Sequence, residues 1–205
     1  MTKRRLFIAV AVLVLVALAG GVIFFLLQDV PDVTEADVST ACVQSDTAEA
    51  CVQFPTISGD NLLGQAVTYP ADFSGDTVLA VVPFDRDQQV VANTWLPFVQ
   101  EIAGEYPEFA YYNIPVFPDI ESGFRVLARA GLILVIQDEH LREITATVFL
   151  DNRDEFLNAL AIPDVEDVQI LLMERDGTVL WRETGEFTEA KGDALLQAVE
   201  NLSME

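Results

Sequence analysis

Positive charge, histidine and cysteine are all scarce in this chain. Eleven Lys and Arg stand against 33 Asp and Glu. Three of the eleven are Lys3, Arg4 and Arg5, and no acid precedes Asp29, so residues 29–205 carry 8 bases against 33 acids, a net charge of −25. Such a surface repels phosphate backbones, which argues against nucleic acid as a partner. It is also repelled by anionic lipid headgroups. Solubility is the plainest reading of the acidity; a basic partner protein or loosely held cations are the alternatives.

His140 is the single histidine. It sits among Asp138, Glu139, Arg142 and Glu143 in a stretch that reads as a helix end, a setting more typical of a structural or solvated imidazole than of a catalytic one. No GxSxG, HExxH or P-loop occurs, and no GxGxxG with a following acid, so serine-nucleophile, zinc-protease, phosphoryl-transfer and dinucleotide chemistry lose their usual support. Acidic clusters occur at Asp85/Asp87, Asp151/Asp154/Glu155 and Asp164/Glu166/Asp167. None follows EF-hand spacing, and among 33 acids they read as solvated faces. Neither a metal nor a cofactor is expected.

The two cysteines, Cys42 and Cys51, lie in a short repeat: Ala41-Cys42-Val43-Gln44 recurs as Ala50-Cys51-Val52-Gln53. In an oxidising compartment such close cysteines are expected to pair. A disulfide closing so short a loop stabilises by roughly 2.5–3 kcal/mol in the chain-entropy model. Redox pairs usually sit at CxxC spacing beside a helix N-terminus. The wider spacing here favours a structural staple, and with no histidine nearby a zinc site has little support.

What the chain does have is one long apolar run. Leu6 to Leu27 holds no charged and no polar side chain over 22 residues, about 33 Å of helix against a hydrocarbon core of about 30 Å. Basic residues precede it and Asp29 and Asp32 follow it, so the positive-inside rule puts the N-terminus in the cytoplasm and the rest outside. Ala17-Leu18-Ala19 resembles a signal-peptide cleavage site, but the run stays apolar through Leu27, which favours an anchor. The expected organisation is a cytoplasmic stub and transmembrane anchor at 1–28, an acidic tether with both cysteines at 29–53, and one domain at 54–205. Thr34-Glu35-Ala36-Asp37 is a candidate helix cap within the tether.

The domain alternates strand and helix patterns. A short strand is expected near Ala66–Tyr69. Thr77–Phe84 is a continuous apolar run, as in a central strand covered on both faces. Gln88–Tyr106 has helical apolar spacing, Phe109–Phe117 reads as a strand, and Ile120–Leu141 as a long apolar helix broken at Gly131. Ile144–Leu150 is a strand and Arg153–Leu160 a short helix. Val168–Glu174 and Thr178–Arg182 flank the hairpin signal Asp176-Gly177. Thr188–Leu202 closes the chain as an amphipathic helix capped by Thr188. Trp95 and Trp181 are expected in or beside the core. The order predicts an α/β fold with a central mixed sheet and helices on both faces.

The stretch at 54–84, Trp95-Leu96-Pro97, Leu141-Arg142 and ILLMERDGTVLWRETGEFT at 170–188 resemble the thioredoxin-like superfamily. Within it they are nearest a redox-inactive branch that includes the mitochondrial ATP-synthase assembly factor and bacterial relatives. The resemblance spans roughly residues 54–202, and RDGTVLWRETG is its most specific piece. It implies a thioredoxin-like fold. A redox-active thioredoxin carries CxxC just after its first central strand, where this chain has Asp85, Arg86, Asp87 and Gln88, so disulfide exchange cannot run there. Active thioredoxins also place a cis-proline before the strand entering the hairpin, where this chain has Val168 or Gln169. The resemblance implies a role in assembling or stabilising a membrane complex, with the 85–89 loop and the sheet edge as places for a partner. Arg142 and Arg182 fall within the resembling motifs and are candidate partner contacts, local ion pairing being the alternative. Two further hypotheses are an extracytoplasmic thiol-disulfide enzyme using Cys42 and Cys51, and a ligand-sensing ectodomain.

Overall fold

The computed structural model describes residues 42–45, 48–119 and 122–203. The apolar run at 6–27 and the candidate cap at Thr34 lie outside the described residues. Among those described, no helix is long and apolar enough to cross a membrane. In chain order the strands are β1 (Cys42–Ser45), β2 (Ala48–Cys51), β3 (Ile57–Asn61), β4 (Ala66–Tyr69), β5 (Thr77–Val82), β6 (Phe109–Asn113), β7 (Val116–Pro118), β8 (Ala146–Leu150), β9 (Gln169–Glu174) and β10 (Val179–Thr184). The helices are α1 (Gln88–Glu105), between β5 and β6; α2 (Ser122–Val135) and α3 (Glu139–Ile144), between β7 and β8; α4 (Arg153–Ala159), before β9; and α5 (Glu189–Ser203), after β10.

Every residue from Val78 to Val82 is buried. Successive side chains of a strand point to opposite faces, so both faces of β5 are covered. It pairs in parallel with β6 and antiparallel with β9, and β10 flanks β9. The hairpin expected at Asp176-Gly177 joins those last two strands. Gly177 there has φ +93°, a conformation that favours glycine. A second set of strands runs β4-β3-β8-β7.

The two sets meet because β6 and β7 are halves of one bent line. Pro115 has no N–H to donate to a ladder, yet its carbonyl accepts Val148 N at 3.0 Å, and Pro83 O accepts Val116 N at 2.9 Å. The bridge Asn113↔Thr145 continues in the same register as Val116↔Val148 and Phe117↔Phe149. The first half of the line therefore pairs with β5 and the second with β8, which gives one mixed sheet in the order β10-β9-β5-β6/β7-β8-β3-β4.

Tyr111 and Tyr112 separate the two faces. Tyr112 packs against Tyr69 and Phe73 at 5.3 and 5.0 Å between ring centroids. Phe73 meets Phe54, and Phe54 meets Phe156 of α4, each at 5.8 Å. Tyr111 faces the α1 side, where Trp95, Val99 and Ile102 are buried. Phe187 joins α1 to the start of α5 through Trp95 and Phe98, and Trp95 Nε1 donates to Gly185 O at 2.9 Å. Helices thus cover both faces, and both tryptophans are buried.

Three expectations need correction. The run read as one strand at 109–117 is interrupted at Ile114-Pro115. The helix read at 120–141 breaks at 136–138 and not at Gly131: Asp138 accepts Leu141 N at 2.9 Å and so caps α3, whereas Gly131 sits inside α2. Ile57–Asn61, where no strand is expected from the sequence, is β3. Thr188 does accept Lys191 N at the start of α5, at 3.3 Å.

Candidate functional site

The end of the sheet where β5 finishes carries the loop expected to replace a redox motif. Asp85 Oδ1 accepts Gln88 N at 2.9 Å, so a carboxylate caps the first turn of α1, where the helix dipole favours negative charge. Asp85, Arg86 and Asp87 are exposed, while Gln88 is buried. The Gln88 amide reaches in two directions. Its Oε1 accepts Phe84 N at 2.8 Å, and its Nε2 donates to Val165 O at 2.7 Å and Glu166 O at 3.0 Å. The loop after β5 is thereby tied to the loop that leads into β9. That second loop enters β9 through Val168 with no proline, and the cis peptide bond among the described residues is Tyr69–Pro70.

Beside Gln88 runs a short chain of amides. Asn113 Nδ2 donates to Gln89 Oε1 at 3.2 Å, and Gln89 Nε2 donates to Asn93 Oδ1 at 3.0 Å. Pro97 lies inside α1 and cannot supply the helix N–H that would otherwise close on Asn93 O. Gln89 and Asn93 sit where two clefts meet. One, of about 320 Å³, lies between α1, β6 and α3 and is lined by Trp95, Val99, Tyr111, Ile136, Asp138 and Leu141. The other, of about 510 Å³, lies between α1 and α2 and is lined by Asp85, Arg86, Val90, Leu127, Leu132 and Gly131. Val135 and Ile136 line both.

The α2 wall is unusual. Its polar residues are Ser122, Arg125 and Arg129, and none of its described side chains is fully buried. Val126, Leu127, Leu134 and Val135 are 68, 67, 78 and 70% exposed, and Val90 across the groove is 72% exposed.

The candidate partner contacts face inward. Arg142 Nε and Nη2 donate to Ile136 O and Ile133 O at 2.7 and 2.9 Å, closing the C-terminal end of α2. Arg182 Nη2 donates to Leu160 O at the end of α4, at 2.9 Å, and burial lowers its pKa. His140 is exposed, 3.9 Å from Glu143 and edge-on to Tyr111. Cys42 and Cys51 are backbone partners in the β1–β2 hairpin. That hairpin joins the sheet through Val52 O, which accepts Val179 N, and through the Gln53↔Thr178 bridge. Thr178 lies beside Glu174, which is opposite Thr77 at the start of β5. The cysteines therefore adjoin the end of the sheet where β5 begins, roughly 17 Å of strand from the 85–88 loop. Among the described residues, no group of three or more His, Cys, Asp or Glu is placed to hold a metal.

Sequence reasoning placed the 85–88 loop on this site but missed the Gln88 tie, the amide chain and the bare face of α2. The last had a visible signal: no polar residue occurs among Val126, Leu127, Ala130 and Leu134, which share one helical face.

No family model and no curated protein matches the sequence, but solved structures do. A member of the Sco family of cytochrome c oxidase assembly proteins, in which a disulfide switch has been identified, superposes with a TM-score of 0.50 at 12% identity, over 76% of this chain and 96% of that one. The thioredoxin domain of a thiol-disulfide oxidoreductase from Bacteroides vulgatus gives 0.48 at 20% identity, over 76% and 99%. The exposed lipoprotein thioredoxin of Streptococcus pneumoniae strain TIGR4 gives 0.47 at 16%, over 72% and 99%. The likeness is one of fold: the described residues form a thioredoxin-like α/β domain.

Proposed function

We propose that this chain is a membrane-tethered, extracytoplasmic module with a thioredoxin-like fold that acts by binding, as an assembly or stabilising factor for a membrane complex. The observation that carries the reading is Gln88. Where a thioredoxin needs a thiol able to attack and leave, this chain has a buried amide bonded to three main-chain groups. The apolar run at 6–27 supports the tether, and the resemblance to the assembly-factor branch supports the role. An insulin-reduction assay on the full chain with dithiothreitol tests the non-catalytic part, and no turnover above the uncatalysed rate is expected.

A thiol-disulfide enzyme using Cys42 and Cys51 is the second reading, and the pairing of the two cysteines across one hairpin favours it. Against it, the hairpin joins the sheet at the end remote from the 85–88 loop. Insulin turnover by the wild-type chain that disappears in Cys42→Ser/Cys51→Ser would overturn the binding reading in its favour.

A further inference from the structure

Five of the six large apolar side chains that stand exposed among the described residues belong to α2 or face it across one groove: Val126, Leu127, Leu134, Val135 and Val90. A surface helix normally turns its apolar stripe to the core, and apolar surface left exposed in this way marks an interaction site. The described part of α2 buries no side chain fully, so its outer face lacks cover among the described residues.

Resting on the binding reading above, we propose that the groove between α1 and α2 docks an amphipathic α-helix of a basic partner protein. Shape and charge select this occupant. The two long walls are helices, with Phe117 of β7 also lining the groove, so the groove is built mainly of helix side chains, which suits the helix-in-groove mode rather than strand addition. The α2 wall has 14 residues, about 21 Å of helix, and matches roughly four turns of a partner. The neighbouring cleft of about 320 Å³ opens at Val135 and Ile136 and has room for one large apolar anchor.

Charge then separates the candidates. Asp138 lines one of the joined clefts and Asp85 the other, and Arg86 is the one base lining either of them. Residues 29–205 carry a net −25. A second copy would bring the same charge, and an anionic membrane is repelled as well. A helix with an apolar stripe between Lys or Arg flanks satisfies both the groove and its rim.

The test uses the full chain in zwitterionic nanodiscs, with the signal of empty discs subtracted. The probe is a fluorescein-labelled 18-residue Leu/Lys helix with leucines on one stripe, compared with the same residues in scattered order. The striped helix is expected to bind at least tenfold tighter. Leu127→Asp/Val135→Asp, both in the groove wall, should weaken it at least tenfold, although the variant adds two negative charges. Both side chains are exposed, and an unchanged circular dichroism spectrum and urea midpoint show that the fold persists. Equal binding of the two peptides, or unchanged or tighter binding by the variant, reduces the attraction to charge and overturns the proposal. So does a dimer or a disc-bound state of the domain that the variant abolishes, since a second copy or lipid would then be the occupant. Insulin turnover with intact helix binding would sink only the non-catalytic reading; an inert chain that ignores the helix would sink only the groove.

Discussion

Gln88 occupies a position where a one-residue change has more than a local effect. Its side chain satisfies Phe84 N, Val165 O and Glu166 O together. Removing a buried hydrogen-bonding group leaves its partners desolvated and unpaired, at about 1–3 kcal/mol each where water cannot enter. Gln88→Ala should therefore lower stability by about 2–4 kcal/mol, read as a shift of the urea midpoint with unchanged slope. A shift below 0.5 kcal/mol would mean that the tie between the two loops contributes little. None of this was legible in the sequence. The carbonyl partners of Gln88 lie 77 and 78 residues away, and a glutamine in a polar loop looks like any solvated residue. Arg182 is similar, its acceptor Leu160 O lying 22 residues back at the end of α4, whereas Arg142 bonds carbonyls only 6 and 9 residues back, across a helix break that the apolar pattern does not reveal.

Elements with a strong local signal were the readable ones. The apolar run of β5, the Asp176-Gly177 hairpin and the helical spacing of α1 and α5 all depend on neighbours in sequence. β3 hid because Gly59 and Asp60 look like turn residues. The structure explains the glycine: a Cβ at position 59 would overlap the Thr147 carbonyl oxygen and lie 3.1 Å from Val148 Cγ2. Only glycine lets β3 approach β8 this closely. Gly59→Ala should cost about 2–3 kcal/mol by overpacking and should speed amide exchange at Asp60, which pairs with Thr147 of β8, and at Leu62, whose N–H donates to Thr145 O. Wild-type exchange there would show that the strand pair gives way easily. α2 shows the opposite limit. Its sequence announces an apolar helix plainly, but burial depends on what lies against it, and a sequence does not record that.

For the whole molecule, acidity leaves few groups to titrate at high pH. The domain has one lysine, Lys191, and four tyrosines. Burial raises the pKa of Tyr69, with Tyr112 and Asp72 adding to the effect, and burial likewise raises that of Tyr111. A tyrosine in the unfolded chain ionises near pH 10. In the folded domain these two hold their protons longer, so the unfolded state is the first to gain charge. Their contribution is complete below about pH 10 and is lost as the pH rises beyond it. The urea midpoint should fall between pH 9.5 and 11, and Tyr69→Phe should flatten that fall. An unchanged pH profile in the variant would assign the loss to other groups.

The eight bases of the domain have a further consequence. Arg129 donates to Asn61 O, Arg142 to Ile133 O and Ile136 O, Arg182 to Leu160 O, and Lys191 to Thr184 O while lying 3.5 Å from the buried Glu183 carboxylate. Trypsin must bind such a side chain in its own pocket before it can cut. Half of the domain's cleavage points are thus withheld until the fold opens locally. Arg86 and Arg175 are exposed in loops, where nicking concentrates. Limited digestion should open the native domain first at these two points, and an occupant of the groove lined by Arg86 would register as protection of the first.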